Sequence, residues 1–241
     1  MRTKHIALSP IYSTDSNLIN QATYSRDLKS LRCIKWNVPF NERKNIVGVY
    51  GEDFFTTHVA HQCGFHLSNV EGNWLARVPN KYLKRTVVHQ RLKDVSINES
   101  FIKPVDTKYF KAGVYETKEA INGYHSLDKD QYVYTSNVVE WDCEVRTFVL
   151  NNTIQTYSTY LKNGRYFIDS NIPKDKDGFE KFTSAFLNDS DVKLPEAIVV
   201  DFGYIKDLGW AIIEANPVYS SGIYACDPEK VLDVIIKSCE N

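Results

Sequence analysis

The sequence predicts an α/β (α+β) protein: a small, mostly parallel α/β layer first, then lobes built chiefly from antiparallel strands. Short apolar runs alternate with polar, helix-like stretches through the first third of the chain, as in a sheet whose strands are joined by helices. From Phe101 onward the character changes. "SFIKPV", "QYVYTSNVVEW", "CEVRTFVLNN" and "TIQTYSTYLK" are rich in Tyr, Val and Thr in near alternation, the pattern of antiparallel strands. With 241 residues, 43% hydrophobic and 24% charged, the chain can bury one large core or several lobes around a cleft.

Taken in order, "HIALSPI" reads as a strand, residues 15–31 as a helix, "CIKWNV" and "NIVGVYG" as strands, and 52–63 as a helix. "NWLARVPNKYLKRTVVHQRL" leads into a helix after Pro79. The later strands are joined by short turns at Asn151-Asn152 and Asn163-Gly164, and a helix is expected over 176–188. The chain closes on "DPEKVLDVIIKSC", with Asp227 as N-cap, Pro228 at the first helical position and an apolar face of Val231, Leu232, Ile235 and Ile236. Lobe boundaries fall near 78 and 138, giving units of 1–78, 79–138 and 139–241.

The formal net charge of −1 provides no overall basic field, so neither nucleic acid nor an anionic membrane is an expected partner. The five cysteines (Cys33, Cys63, Cys143, Cys226, Cys239) are scattered and contain no C-x-x-C pair, which suits a reducing compartment. "MRTKHIALSPIYSTDS" lacks a signal peptide's apolar core, and no run approaches a membrane span. A soluble cytoplasmic protein is expected.

The hairpin "VVDFGYIKDLGWAIIEANP" carries an Asp, a Glu and an Asn in otherwise apolar strands. Strand side chains alternate faces, so Val199, Asp201 and Gly203 share one side, and Ile212, Glu214 and Asn216 share one side of the partner. A hairpin symmetric about Asp207-Leu208 sets Asp201 opposite Glu214. Like charges directly opposed destabilise a sheet, and a divalent cation relieves the repulsion. Two carboxylates and an amide oxygen suit Mg²⁺. The plainer reading is a solvated acidic face.

Upstream, Lys103 lies in an apolar strand just before Pro104, followed by Lys108 and Lys111. A strand lysine can reach a phosphate as a compact charge, or it can guard a sheet edge against aggregation. Glu144 and Arg146 lie two apart on one strand face. They form either a surface ion pair or an arginine poised over a transferring phosphoryl group with Glu144 holding it. Val138-Val139-Glu140-Trp141 reads as a link between lobes.

In this order the strand lysine of "FIKP", the "VVEW" linker, the "E-x-R" strand, and "D" and "E-x-N" on consecutive strands resemble the ATP-grasp superfamily. "FIKPVDTKYF" and "CEVRTFV" look most like its R2K clade of bacterial and phage proteins. The resemblance spans roughly 75–230, and residues 1–75 would match the small α/β lobe that precedes the two ATP-clasping lobes. It implies an ATP- and Mg²⁺-dependent carboxylate–amine ligase acting through an acyl phosphate on small-molecule or peptide substrates. Lys103 would contact the ATP phosphates and Lys108 would be the second lysine. Backbone groups of Val138, Val139, Glu140 and Trp141 would meet the adenine, with Glu140 or a near neighbour such as Glu144 at the ribose. Asp201, Glu214 and Asn216 would hold one or two Mg²⁺, and Arg146 would stabilise the transferred phosphoryl group. No Gly-rich phosphate-covering loop lies between Lys103 and Val138, which leaves open whether residues 111–130 form a lid. Alternatives are a phosphotransferase on the same fold, a non-catalytic nucleotide-binding or interaction protein, and a plain structural protein that binds no nucleotide.

"THVAHQCGFH" places His58, His61, Cys63 and His66 within nine residues, but Gly64 ends the helix between them and the spacing misses that of paired zinc ligands. An ordinary helix end is the expectation. No P-loop, Rossmann or nucleophile-elbow motif is present.

Overall fold

The structure, a computed structural model, describes residues 3–96, 99–105 and 109–240. The chain begins with β1 (Lys4–Leu8), α1 (Thr14–Ala22), β2 (Leu28–Arg32), β3 (Ile46–Tyr50), α2 (Asp53–Cys63) and β4 (His66–Leu67). β2, β1 and β3 form a parallel sheet in that order. A capping box between Ser13 and Ser16 starts α1, and Gly64, at φ 80°, ends α2 in the left-handed region that glycine adopts without strain.

Two expectations in this lobe need correction. Residues 15–31 are not one helix: α1 stops at Ala22, a 3₁₀ turn follows, and β2 pairs in register along β1. Nor is "CIKWNV" a strand. After Cys33 the chain leaves the sheet in a 3₁₀ turn at Ile34–Trp36, with Lys35 and Trp36 at φ 52° and 56°. The Gln62 side chain fixes that loop by accepting from Val38 N and donating to Trp36 O.

Next come α3 (Trp74–Arg77), α4 (Asn80–Leu83), β5 (Val87–Arg91), β6 (Ser100–Pro104), β7 (Gly113–Tyr115) and β8 (Tyr132–Ser136). The helix expected after Pro79 is a single turn, closed by Lys84 at φ 52°, and "VVHQR" is strand β5. The four strands form an antiparallel sheet, order β5-β8-β6-β7, over a small core that includes Leu92, Ile102, Ile121 and Val133.

The remainder is β9 (Trp141–Leu150), β10 (Thr153–Lys162), β11 (Arg165–Asp169), α5 (Lys176–Leu187), β12 (Ala197–Ile205), β13 (Gly209–Asn216), α6 (Pro228–Lys237) and β14 (Cys239–Glu240). β11-β10-β9-β12-β13 is one antiparallel sheet. The turns at Asn151-Asn152 and Asn163-Gly164 have the paired positive φ angles of tight hairpins, 49° and 57°, then 48° and 69°. The Asp227 cap and Pro228 start α6 as expected.

The two faces of the five-stranded sheet are covered differently. On one, Ile198, Val200 and Phe202 join Phe179 and Phe186 of α5. On the other, Ala197, Val199 and Phe148 join Val231, Leu232 and Ile235 of α6 together with Ile6 and Leu8 of β1. α6 therefore shares one core with the first and last sheets. Read along this second face, β12 runs Ala197, Val199, Asp201, Gly203, passing from apolar cover to an acid.

Candidate functional site

The acid sits where the hairpin breaks its own register. Asp201 pairs with Glu214, as expected, but Phe202 pairs with Ile212 and leaves Ile213 as an extra residue. The turn end is thus registered one residue differently from a symmetric hairpin, and the bulge restores the Asp201–Glu214 match. It also corrects the alternation. Trp210 and Ile212 lie in the core under α5, whereas Glu214 and Asn216 turn to the side of Asp201. Without the bulge, strict alternation would carry Glu214 into the core with Ile212.

Arg85 secures this irregularity. Its Nη1 donates to Ile212 O at 2.7 Å and to Leu83 O at 3.1 Å, and Nη2 donates to Ile213 O at 3.2 Å. These are carbonyls at the point where the ladder is interrupted. The guanidinium also lies 5.1 Å from the Trp141 ring, and burial pushes its pKa down to about 10. Trp141 itself packs against Gly203, where a Cβ would collide with the indole. Arg85 carries no motif in the sequence: "KYLKRTVV" suits a continuing helix, whereas α4 ends at Leu83 and leaves Arg85 in the turn before β5.

Around the bulge the charges are matched. Arg146, beside Asp201 on the neighbouring strand, grips it in a fork: Nε to Oδ1 at 2.9 Å and Nη2 to Oδ2 at 2.7 Å. Nη1 donates to Gly222 O at 3.3 Å. The Asp201 side chain is 0% exposed and that of Arg146 11%. Burial works against the Arg146 charge, but Asp201 outweighs it and the net pKa is raised. Asn216 Nδ2 donates to Glu214 Oε1 at 2.9 Å and to Asp201 Oδ2 at 3.3 Å, drawing both acids to one point. Lys103 reaches across from the four-stranded sheet and ion-pairs with Glu214 Oε2. Asp201, Glu214, Asn216, Arg146 and Lys103 are therefore brought together from four strands in two sheets.

Other candidates fall differently. Glu144 shares a strand face with Arg146 but does not hold it: Asp201 does, while Glu144 accepts from Tyr160 Oη at 2.6 Å. Burial is the main cause of a raised Glu144 pKa, with the Asp201 charge adding and Tyr160 and Arg146 opposing. Val138, Val139 and Glu140 form the linker from β8 to β9, with Val138 and Glu140 exposed. Asn137 anchors it through main- and side-chain bonds to Thr86. Lys108 lies outside the described residues, and Lys111 is exposed. Among the described residues no three His, Cys, Asp or Glu side chains group as a metal site; His58 and His61 lie on α2, and His66 lies past Gly64 on β4.

The loop 217–227 closes one side of the cluster and is tied to the first lobe. Tyr50 Oη donates to Ser221 O at 2.8 Å, Gly51 N to Tyr219 O at 3.0 Å, and Ile223 N to Asp15 Oδ2 at 3.2 Å. Tyr224, on this loop, stacks on Tyr160 beside Arg146. Neither tyrosine carries a motif in the sequence, since both sit in alternating or irregular stretches.

The carboxylates of Asp201 and Glu214, held side by side on a rigid strand pair, are oxygen ligands of the kind a hard dication takes; Asn216 turns its Nδ2 to both, and a rotation of its side-chain amide would bring its oxygen into the set. Lys103 and Arg146 balance these two acids in the structure, so a dication at the carboxylates would take the place of Lys103 on Glu214. The residues fit Mg²⁺.

The fold is similar to that of several solved ATP-grasp proteins. One is the ATP-grasp ligase PsnB complexed with a minimal precursor, at TM-score 0.56 and 10% identity, covering 99% of this chain and 100% of that one. Another is D-alanine–D-alanine ligase from Bacillus anthracis, at TM-score 0.55 and 12% identity, covering 98% and 97%. A third is a RimK domain ATP-grasp protein from Sphaerobacter thermophilus, at 0.55 and 10%, covering 96% and 99%. No curated protein matches the sequence itself. Residues 82–234, well over half of the chain, match the family described as ATP-grasp domain, R2K clade family 2. The chain therefore has the ATP-grasp fold and belongs to the R2K clade of the ATP-grasp superfamily.

Proposed function

We propose that this protein is an ATP- and Mg²⁺-dependent carboxylate–amine ligase. The observation that carries the reading is the convergence of Lys103 from one sheet with Arg146, Asp201, Glu214 and Asn216 from the other. Support comes also from the similar folds: PsnB is an ATP-grasp ligase seen with Mg and ADP and with a precursor peptide, and the Bacillus anthracis enzyme is seen with ATP. In this reading a carboxylate takes the γ-phosphoryl group of ATP to give an acyl phosphate, and an amine then displaces phosphate.

Asp201, Glu214 and Asn216 would hold one or two Mg²⁺, whose chemistry is to neutralise the phosphate oxygens. Lys103 leaves Glu214 for the phosphates, with Lys108 as the second lysine. Arg146, fixed by the Asp201 fork, presents a preorganised cation to the oxygens on which charge develops. Backbone groups of Val138, Val139, Glu140 and Trp141 meet the adenine, and Glu140 the ribose. The substrates are small-molecule or peptide carboxylates and amines. No helix of the described residues is long and apolar enough to cross a membrane. The five cysteines are free thiols, which supports a reducing compartment such as the cytoplasm.

The test is oxygen transfer. With a carboxylate substrate labelled with ¹⁸O, the released phosphate should carry one labelled oxygen, and only when ATP, Mg²⁺ and amine are all present. ADP release without amine, yielding a stable phosphorylated product, would instead mark a phosphotransferase.

A further inference from the structure

Beside Arg146 lies a wall of three tyrosines that the reading above does not use. Tyr160 and Tyr224 stack with ring centroids 5.0 Å apart and planes 10° apart, and Tyr166 stands edge-on to Tyr224 at 6.1 Å. The Arg146 guanidinium carbon is 5.6 Å and 5.1 Å from the first two rings. Each ring is aimed by an irregular backbone. Tyr160 is the extra residue of a bulge, passed over in the pairing of β10 with both β9 and β11. Tyr224 holds φ 56°, a left-handed conformation that costs a non-glycine residue free energy and clusters at binding sites.

Tyr166 ends the wall on β11, which is the edge strand of its sheet and is paired with β10. Tyr166 is 69% exposed, and Ile168, two residues on along the same strand, is also exposed. A buried aromatic trio would be explained by packing alone. This one runs from an open sheet edge to the charged cluster, and nothing in the core requires the outer ring.

We propose that Tyr160, Tyr224 and Tyr166 form a substrate subsite that takes a planar, π-bearing side chain, an aromatic ring or a guanidinium, on the molecule joined at Arg146. The chemistry follows from the wall: offset rings accept another ring at their open edges and faces, and their negative faces accept a delocalised cation. Arg146 already packs against the inner end in this manner. Glu144, bonded to Tyr160, and Asp15, bonded to the Tyr224 loop, are the nearby acids that would favour the cationic member of the pair. Tyr166 is then the residue that sets specificity, and this role rests on the ligase reading for what is joined there.

The experiment needs no turnover. L-tyrosinamide, L-argininamide and L-alaninamide are each titrated into the full chain and followed by saturation-transfer NMR. Wild type should bind the first two about three- to tenfold tighter than the third. Tyr166→Ala, at an exposed position that spares the core, should bring the three to parity, and Tyr166→Phe should keep the preference. Tyr224→Gly, which relieves the positive φ while removing the ring, should also abolish it. Equal binding of all three probes by wild type, or a preference that survives Tyr166→Ala, would overturn the subsite. The thermal response to Mg·ATP is recorded on the same samples. If wild type lacks that response yet keeps a Tyr166-dependent preference, the nucleotide reading fails and the subsite stands.

Discussion

The two ion pairs at the site are carried by differently built parts of the molecule. Arg146–Asp201 lies within the five-stranded sheet, on strands covered from both sides by α5 and by α6 with the first lobe. Lys103–Glu214 spans from that sheet to the four-stranded one, whose core is a small separate cluster around Ile102 and Ile121. The first pair is 11% and 0% exposed, the second 31% and 25%. The difference teaches how one cluster can be both fixed and open to ligand. The acids and the arginine are part of the framework, while the lysine belongs to a thinner lobe and can exchange a carboxylate for a phosphate.

That contrast can be broken by substitution. Asp201→Ala leaves a mostly buried Arg146 without its carboxylate and should cost about 3–5 kcal/mol in denaturant unfolding. Lys103→Met breaks a partly exposed, screened pair and should cost only about 0–1 kcal/mol. Equal costs would erase the distinction drawn between the two regions.

Arg85→Met tests the link between framework and site. It strips the Ile212 and Ile213 carbonyls of their donor, at about 1–3 kcal/mol. It should also weaken the Mg·ATP response, because the bulge that turns Glu214 toward Asp201 loses its anchor. Loss of stability with an unchanged response would make Arg85 a purely structural residue. In the thinner lobe, Ile102→Val should cost about 0.5–1.5 kcal/mol and leave the hydrogen-exchange protection of β12 unchanged.

The smallest effect concerns pH. Burial raises the folded-state pKa of Glu144, so its ionisation opposes folding: stability it contributes below its unfolded pKa is lost as pH rises through the folded one. Glu144→Gln, which can still accept from Tyr160, should therefore be at least as stable as wild type at pH 7. Its advantage should shrink on acidification toward the ordinary carboxylate range. A gap that widens on acidification would reverse the assigned sign.

Much of this was legible in local pattern. Alternation and turn residues gave β9, β10 and β12, the Asp227-Pro228 cap gave the start of α6, and the order of Lys103, Arg146, Asp201 and Glu214-x-Asn216 pointed to the family. What was not legible depends on distant partners. "LKSLR" has leucines three apart, which suits a helix, and becomes β2 only because β1 pairs with it. The Ile213 bulge has no signature in "WAIIEAN"; it is held by Arg85, more than a hundred residues earlier. The Arg146–Asp201 fork was likewise hidden, because two-residue spacing favoured Glu144 as the partner, whereas the pairing of β9 with β12 decides it.

The measurement that bears most directly on the central claim is thermal unfolding with and without Mg²⁺ and ATP, on wild type and on Asp201→Asn/Glu214→Gln. Ligand at about 100 times its Kd adds roughly 2.7 kcal/mol, which for a chain of this size raises Tm by about 5–10 °C. The account predicts a Mg²⁺-dependent rise in wild type that disappears in the double variant. No rise in wild type at millimolar Mg·ATP, or an equal rise in both proteins, would contradict it.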